Sequence, residues 1–326
     1  MTKKQRVIPV WLGIVVFLAA FAAGVVSKVA IKPSWAKEYS AKWSDEIGTL
    51  KIDLTYGEGD EQKFDLYLPK DNSRSSYGLA VYLHPGGFTE GDKVGDRDML
   101  SWLCKKGYVA AGINYTLVKE FGGNLNGASV LTQSNEIKAA IPQVIKAATE
   151  AGYPIDKMAI GGGSAGHALA MIYAYRDAAE APVPVVLTFG AVGPSGFHKE
   201  DWDNYGLDRG TPESEAAALG LFSAMLGEML TPESIADGSY LEKMKTISAV
   251  DWITADSPAT VVAYGTYDRV QPFKASLRLK AALEANGVDF KYFECPHSGH
   301  GLQNDSRIYR QWIMAVNEYL DKYMPL

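Results

Sequence analysis

Strand-like apolar runs alternating with helix-like segments from Leu79 to the C-terminus predict an α/β fold, a mostly parallel central sheet with helices on both faces. Two further observations sharpen this. The pentapeptide Gly162-Gly163-Ser164-Ala165-Gly166 stands between an apolar strand-like stretch (Lys157 to Ile160) and a helix-like one (His167 to Arg176), which puts a serine at a strand-to-helix turn. About sixty residues, 195–257, then separate the strand near Phe189 from the next at Ala259. That is too long for a simple connection, and it predicts a helical cap inserted over the C-terminal edge of the sheet.

Leu50–Tyr56 and Lys63–Leu68 read as two strands joined by a Gly-Glu-Gly-Asp turn, an antiparallel hairpin at one edge of the sheet. Leu79–Leu83 is a short apolar run ending in His84-Pro85-Gly86-Gly87-Phe88. A helix over Asp96–Lys106 stops at Gly107, and Tyr108–Tyr115 forms the next strand. Ile137, Ala140, Ile141, Val144 and Ile145 give Gln133–Glu150 a helical stripe, with Pro142 a local distortion. Strands recur at Lys157–Ile160, Val183–Phe189, Ala259–Gly265 and Asp289–Glu294, with helices at Ala165–Ala179, Pro272–Asn286 and Asn304–Tyr323. The cap brings Phe197, Trp202, Tyr205, Phe222, Met225, Leu226 and Met229. Most of these are expected to pack inside it, with Trp202, Tyr205 and Phe222 the candidates for substrate contact.

The first residues have a different character. Lys3, Lys4 and Arg6 precede an uncharged stretch from Val7 to Ser27, about long enough to cross a bilayer as a helix. Ala20-Phe21-Ala22 could instead serve as a signal cleavage site. The expected organisation is a transmembrane anchor or signal segment over 1–27, a polar linker over 28–47, and one domain over 48–326 with its cap insertion at about 195–257. Either form of the N-terminus predicts an extracytoplasmic protein, anchored in the membrane or secreted.

Composition narrows the partners. The 326 residues carry 32 Lys and Arg against 38 Asp and Glu, a formal charge of −6, and no basic block beyond the N-terminus. That offers nucleic acid no attractive field. The two cysteines, Cys104 and Cys295, lie far apart and make neither a zinc spacing nor a disulfide framework, so both are read as packed thiols and no metal is expected.

A serine at a sharp turn between small residues has an exposed hydroxyl. No Lys follows in P-loop spacing, which removes the phosphate-binding reading of this glycine-rich turn. The hydroxyl needs a base to accept its proton and a group to orient that base. In a parallel sheet both should stand on loops after later strands, because those strands end on the same side. Asp268 follows the strand at Ala259–Gly265, and His297 and His300 follow the last strand. His300, between Gly299 and Gly301, is preferred to His297 beside Pro296, and Asp268 to Asp256, which precedes a strand. Asp251 and Asp305 read as solvated or capping residues, His167 as a packing residue and His198 as surface. The order Ser164…Asp268…His300 distinguishes this set from the chymotrypsin and subtilisin orders. The developing oxyanion requires N–H donors, one from Ala165 directly after the serine and others from a glycine-rich loop placed like His84–Phe88.

The HPGGF segment, Gly-Gly-Ser-Ala-Gly, the Asp268 loop and Ser-Gly-His-Gly together resemble an α/β-hydrolase of the hormone-sensitive-lipase-like and bacterial carbohydrate-esterase-like (feruloyl or acetyl esterase) group, over roughly Leu50 to the C-terminus. Asn114-Tyr115 is similar to that family's Asn-Tyr-Arg-Leu segment, with Thr116 where Arg is usual. The resemblance implies a Ser164, Asp268, His300 triad and an oxyanion hole of Gly86, Gly87 and Ala165. Pro85 stands where the family commonly has glycine. It has no N–H to donate, but the two implied donors follow it. What the resemblance implies is an esterase with no cofactor, acting on short-chain acyl esters of small molecules or saccharides. A peptidase of the same fold and an inactive, membrane-tethered binding protein are the alternatives.

Overall fold

The computed structural model describes residues 34–119 and 127–326. The expected membrane or signal segment, Val7 to Ser27, lies outside the described residues, and among those described no helix is long and apolar enough to cross a membrane. The described residues fall into two units, 34–40 and Ala41–Leu326. In the first, Ser34–Tyr39 is a short 3-10 helix in which the Ser40 hydroxyl donates to the Ala36 carbonyl.

In the second unit eight strands form one sheet: β1 (Gly48–Thr55), β2 (Lys63–Pro69), β3 (Tyr77–Leu83), β4 (Val109–Ile113), β5 (Ile155–Gly163), β6 (Val185–Ala191), β7 (Ala259–Gly265) and β8 (Phe290–Cys295). Their order is β1-β2-β4-β3-β5-β6-β7-β8. β1 pairs antiparallel with β2, and β2 with β4; every other neighbouring pair is parallel. The eight helices among the described residues are α1 (Arg97–Lys106), α2 (Val130–Glu150), α3 (Ala165–Ile172), α4 (Pro212–Leu226), α5 (Pro232–Asp237), α6 (Tyr240–Met244), α7 (Phe273–Ala285) and α8 (Ser306–Tyr323).

Burial explains the strand sequences. β4 and β7 are buried at every position, so they read as unbroken apolar runs rather than alternating ones. β1 is largely exposed and carries Lys51 and Asp53, as suits an edge strand. Its pairing is irregular between Lys51 and Leu54, where Asp53 takes a positive φ of 54°. This turns the Asp53 carboxylate onto the buried Lys93 ammonium at 2.8 Å, which also meets Asp65 at 3.3 Å. A buried lysine would be costly alone, and the two carboxylates offset its desolvation.

Two helices differ from expectation. α2 begins at Val130 because Ser129 caps it, its hydroxyl accepting from the Thr132 N–H while Thr132 Oγ1 accepts from the Ser129 N–H, and it continues through Pro142. The helix expected to reach Ala179 is α-helical only to Ile172, then widens into a π turn over Tyr173–Asp177 and a 3-10 turn over Ala178–Glu180. The widened turn holds Arg176 against Asp177, the Ser134 hydroxyl and the Thr246 carbonyl. Cys104 and Cys295 are buried free thiols, and burial pushes both up to about 12.

The insertion between β6 and β7 holds α4, α5, α6 and several 3-10 turns. Thr211 and Thr231, each followed by proline, cap α4 and α5 by the same reciprocal bonds to Ser214 and Ser234. Phe197, Trp202, Phe222 and Tyr240 form an aromatic cluster inside it, with Phe222 stacked on Tyr240 at 5.5 Å and edge-on to Trp202 at 5.8 Å.

The last helix, α8, buries Trp312, Ile313, Val316, Tyr319 and Leu320, and a second contact ties it to the chain just before β8. Asp289 accepts from Tyr319 at 2.7 Å, from Lys322 at 2.6 Å and from Tyr323. Burial opposes its ionisation, but these bonds outweigh that and hold the carboxyl at about 2, below the ordinary 3.8. A depressed carboxylate stabilises the fold above the unfolded-state value, and the contribution is lost as pH falls through the folded one. Asp289→Asn should therefore be less stable than wild type at pH 5, with the gap closing toward pH 2. A gap in urea-unfolding midpoints that stays constant from pH 5 to pH 2 would contradict this.

Candidate active site

Ser164 sits between the end of β5 and the start of α3 at φ 49° and ψ −117°, a conformation a residue with a side chain adopts only when its surroundings enforce it. Its N–H donates to the Ala191 carbonyl at 2.9 Å, and its carbonyl accepts from Ala168 at 3.0 Å. A Cβ on Gly166 would collide with the Leu83 and His84 carbonyls, and one on Gly162 would collide with the backbone of Gly166 and His167. The two flanking glycines thus let α3 start in contact with both β3 and β5.

His300 and Asp268 come to this serine from the ends of β8 and β7. The His300 ring lies 2.8 Å from the Ser164 hydroxyl through Nε2 and 2.8 Å from Asp268 Oδ2 through Nδ1. An ionised carboxylate only accepts, so Nδ1 carries the proton in the neutral ring and Nε2 presents a lone pair to the serine O–H. The second oxygen of Asp268 accepts from the Val270 and Gln271 N–H groups at 2.8 and 3.0 Å, which fixes the carboxylate plane. Asp268 is buried and His300 partly open to solvent. The two loops are stitched together, since Tyr267 N–H donates to the Ser298 carbonyl and Thr266 N–H to the Cys295 carbonyl.

His297 does not reach the serine. Its ring is 76% exposed and turned to Asp305, with 2.9 Å between Nδ1 and Oδ1. Asp305, expected to be solvated or a cap, is buried and organises this loop, accepting from the His297 N–H and the Ser298 hydroxyl. Burial opposes its ionisation, but the hydrogen bonds from Ser298 and His297 prevail and keep its carboxyl below the ordinary range. His198 is not plain surface either: it is half-buried, with Nε2 3.2 Å from Asp251.

The HPGGF loop lies beside the serine turn: a Cβ added to Gly163 would come within 3.7 Å of the Pro85 ring. Gly86 has φ 141° and no room for a Cβ beside the Glu90 carbonyl, so only glycine fits there. The loop is held from below. The Tyr115 hydroxyl donates to the His84 carbonyl at 2.8 Å, and the His84 ring stacks on Tyr115. Gln133 Nε2 donates to the carbonyls of Phe88 and Thr116, both at 2.8 Å. Among the described residues the N–H groups of Gly86 and Gly87 have no backbone acceptor. Gln133 sits four residues before Ile137 on the apolar stripe of α2, and a polar residue on a buried stripe is the sequence signal for its role.

Two of the three side chains expected to meet substrate are corrected. Trp202 is 3% exposed and Phe222 not at all, because both are consumed by the aromatic cluster of the insertion. Tyr205 is exposed, and its hydroxyl donates to the Val270 carbonyl at 3.1 Å, beside Asp268.

His167 is buried beneath the serine turn. Its Nδ1 accepts from the Gly193 N–H at 3.1 Å, while Nε2 has no hydrogen-bond partner among the described residues. Burial pushes the imidazole down to about 3. Because the unfolded chain binds that proton near pH 6.5, the fold loses stability as pH drops from about 6.5 toward 3. At about 1.36 kcal/mol per unit, the loss between pH 7 and pH 5 is about 2 kcal/mol. Replacing the imidazole by an amide that does not titrate, His167→Gln, should shrink the pH 7 to pH 5 drop in unfolding free energy by about that amount. An equal drop in both proteins would contradict it.

Known proteins resemble this chain in two segments and in fold. Residues 64–193, which include the HPGGF loop and Ser164, match the BD-FAE family model; residues 215–325, which include Asp268 and His300, match that of the prolyl oligopeptidase family. No curated protein matches the chain. Among solved structures, the chain is similar to a truncated carbohydrate esterase from gut microbiota at 18% identity and TM-score 0.60, with 85% of this chain and 98% of that one covered. It is similar also to a thermophilic esterase of the planctomycete Thermogutta terrifontis with propionate bound, at 20% identity and TM-score 0.64, covering 86% and 97%. A third is esterase B of Lactobacillus rhamnosis, at 17% identity and TM-score 0.59, covering 94% and 96%. The sheet order, the helices around it and these resemblances show that the chain has the α/β-hydrolase fold.

Proposed function

We propose that the protein is a serine carboxylesterase that hydrolyses short-chain acyl esters, among them acetylated or feruloylated saccharides, through an acyl-serine intermediate. The observation that carries this is the unbroken line from Asp268 through His300 to Ser164, with both hydrogen bonds at 2.8 Å. His300 Nε2 takes the hydroxyl proton as Ser164 Oγ bonds to the ester carbonyl carbon, and Asp268 stabilises the imidazolium that results. The carbonyl oxygen gains the negative charge and is met by the N–H groups of Ala165, Gly86 and Gly87. Collapse of the tetrahedral adduct breaks the bond to the alcohol oxygen, which leaves with the proton from Nε2. A water then gives its proton to Nε2 and attacks the acyl-serine, and the acid departs as Ser164 recovers its hydrogen.

Pro85 fits this scheme. It supplies no donor, but its fixed φ stiffens the loop that presents Gly86 and Gly87. The basic residues before Val7 and the uncharged run after it support export or membrane anchoring, and hence an extracytoplasmic substrate.

One observation favours a second reading. The match of residues 215–325 to the prolyl oligopeptidase family supports peptide bonds as substrates of the same triad. The complete hydrogen-bonded line argues against the inactive binding protein. A panel of p-nitrophenyl esters run beside aminoacyl and dipeptidyl amides separates the two enzymes, with short esters expected to be cleaved and preference for amides overturning the proposal. Ser164→Ala should lower kcat by roughly 10⁶-fold and abolish fluorophosphonate labelling. Asp268→Asn, which leaves the imidazole in the wrong tautomer, should cost about 10⁴-fold. Equal labelling of wild type and Ser164→Ala would exclude Ser164 as the nucleophile.

A further inference from the structure

Three of the nine large apolar side chains left exposed among the described residues gather at one place, Tyr205, Tyr267 and Val270. Tyr267 and Val270 flank Asp268 in the chain and are 70% and 52% exposed; Tyr205, 47% exposed, reaches the same loop through its hydroxyl bond to the Val270 carbonyl. Single exposed apolar groups are ordinary, but three gathered on and against the loop that carries Asp268 call for an occupant. Tyr205 is also fixed in place. Its ring packs on Trp202 with 5.5 Å between centroids, so both ends of the side chain are held before anything binds. After burial, the charge of Asp268 is the next cause raising the Tyr205 phenol above its ordinary range, which puts this ring within electrostatic reach of the triad.

The chemistry decides which part of an ester this surface meets. The proton on His300 Nε2 goes to the alcohol oxygen when the acyl-serine forms, so that oxygen must come within hydrogen-bond reach of the ring. The carbonyl oxygen turns instead toward the N–H groups of the HPGGF loop and Ala165. The Asp268 loop meets the far edge of the His300 ring through Nδ1, so groups mounted on it belong to the histidine side of the serine, the side on which the alcohol leaves.

We infer that Tyr205, with Val270 and Tyr267, forms a leaving-group ledge that selects esters whose alcohol carries a ring. The inference rests on the esterase reading above. A fixed tyrosine offers a broad amphipathic face at little entropic cost, and a pyranose or an aryl ring covers it where a short alkyl alcohol does not.

The test holds the acyl group and the class of alcohol constant. Ethyl acetate, benzyl acetate and methyl 6-O-acetyl-glucopyranoside are all acetates of primary alcohols. With the full-length protein, kcat/KM for at least one ring-bearing acetate should exceed that for ethyl acetate by about tenfold. The ratio should collapse toward one in Tyr205→Ala and survive in Tyr205→Phe, which keeps the ring and loses only the bond to Val270. A gain for benzyl alone identifies an aryl occupant, and one for the glucoside alone a sugar, both in support. A wild-type ratio near one, or a Tyr205→Ala variant that slows all three acetates alike with an unchanged thermal midpoint, overturns the ledge while leaving the esterase reading intact. Failure to hydrolyse any of the three, in protein whose Ser164 still takes a fluorophosphonate, overturns the esterase reading and the ledge with it.

Discussion

The contact on which the site depends is the approach of the first turn of α3 to the ends of β3 and β5. Ser164 can hold a positive φ only because its neighbours leave no alternative: its N–H is committed to Ala191, its carbonyl to Ala168, and Gly162 and Gly166 are pressed against backbone on both sides. Strain of this kind costs on the order of 1–3 kcal/mol and persists where packing over-determines it. In return the hydroxyl stands at the edge of the sheet, and the Ala165 N–H, in the first turn of a helix, has no partner within that helix. The buried His167 packs beneath the turn, a neutral ring in a place with no room for its charged form.

Parallel register does the rest. β3, β5, β7 and β8 run in the same direction, so their C-terminal ends deliver the HPGGF loop, Ser164, Asp268 and His300 to one edge. Each loop is then fixed by a different means. Tyr115 and Gln133 hold the HPGGF loop from below, backbone N–H groups hold the Asp268 carboxylate, and Asp305 ties down the turn that carries His300. Because Ser298 and Tyr267 bridge the last two loops, displacement of either would disturb the histidine and its orienting acid together.

Much of this was legible in the sequence, for physical reasons that can be named. Strands buried on both faces, such as β4 and β7, must be continuously apolar, so their existence could be read directly. The order Ser164…Asp268…His300 follows from which strand ends can share an edge. Side-chain direction could not be read. Trp202 and Phe222 are aromatic residues in an insertion near the site, and nothing in their spacing distinguishes a side chain facing a pocket from one closing a small core. The insertion's helix starts are marked in the sequence by the repeated Thr-Pro-Glu-Ser at 211–214 and 231–234, a capping signal. Asp305 was misread because a carboxylate at the start of a helix usually caps it; here the groups it satisfies belong to the preceding loop.

The central claim is that Ser164 carries the acyl group during turnover. Acid-quenched reaction with a p-nitrophenyl acetate substrate, followed by proteolysis and mass measurement of the peptide containing Ser164, tests this directly. One acetyl group is expected on Ser164 in the wild-type protein and none in His300→Ala. Steady turnover by Ser164→Ala, or an acetyl group found on another residue while Ser164 stays unmodified, would contradict it.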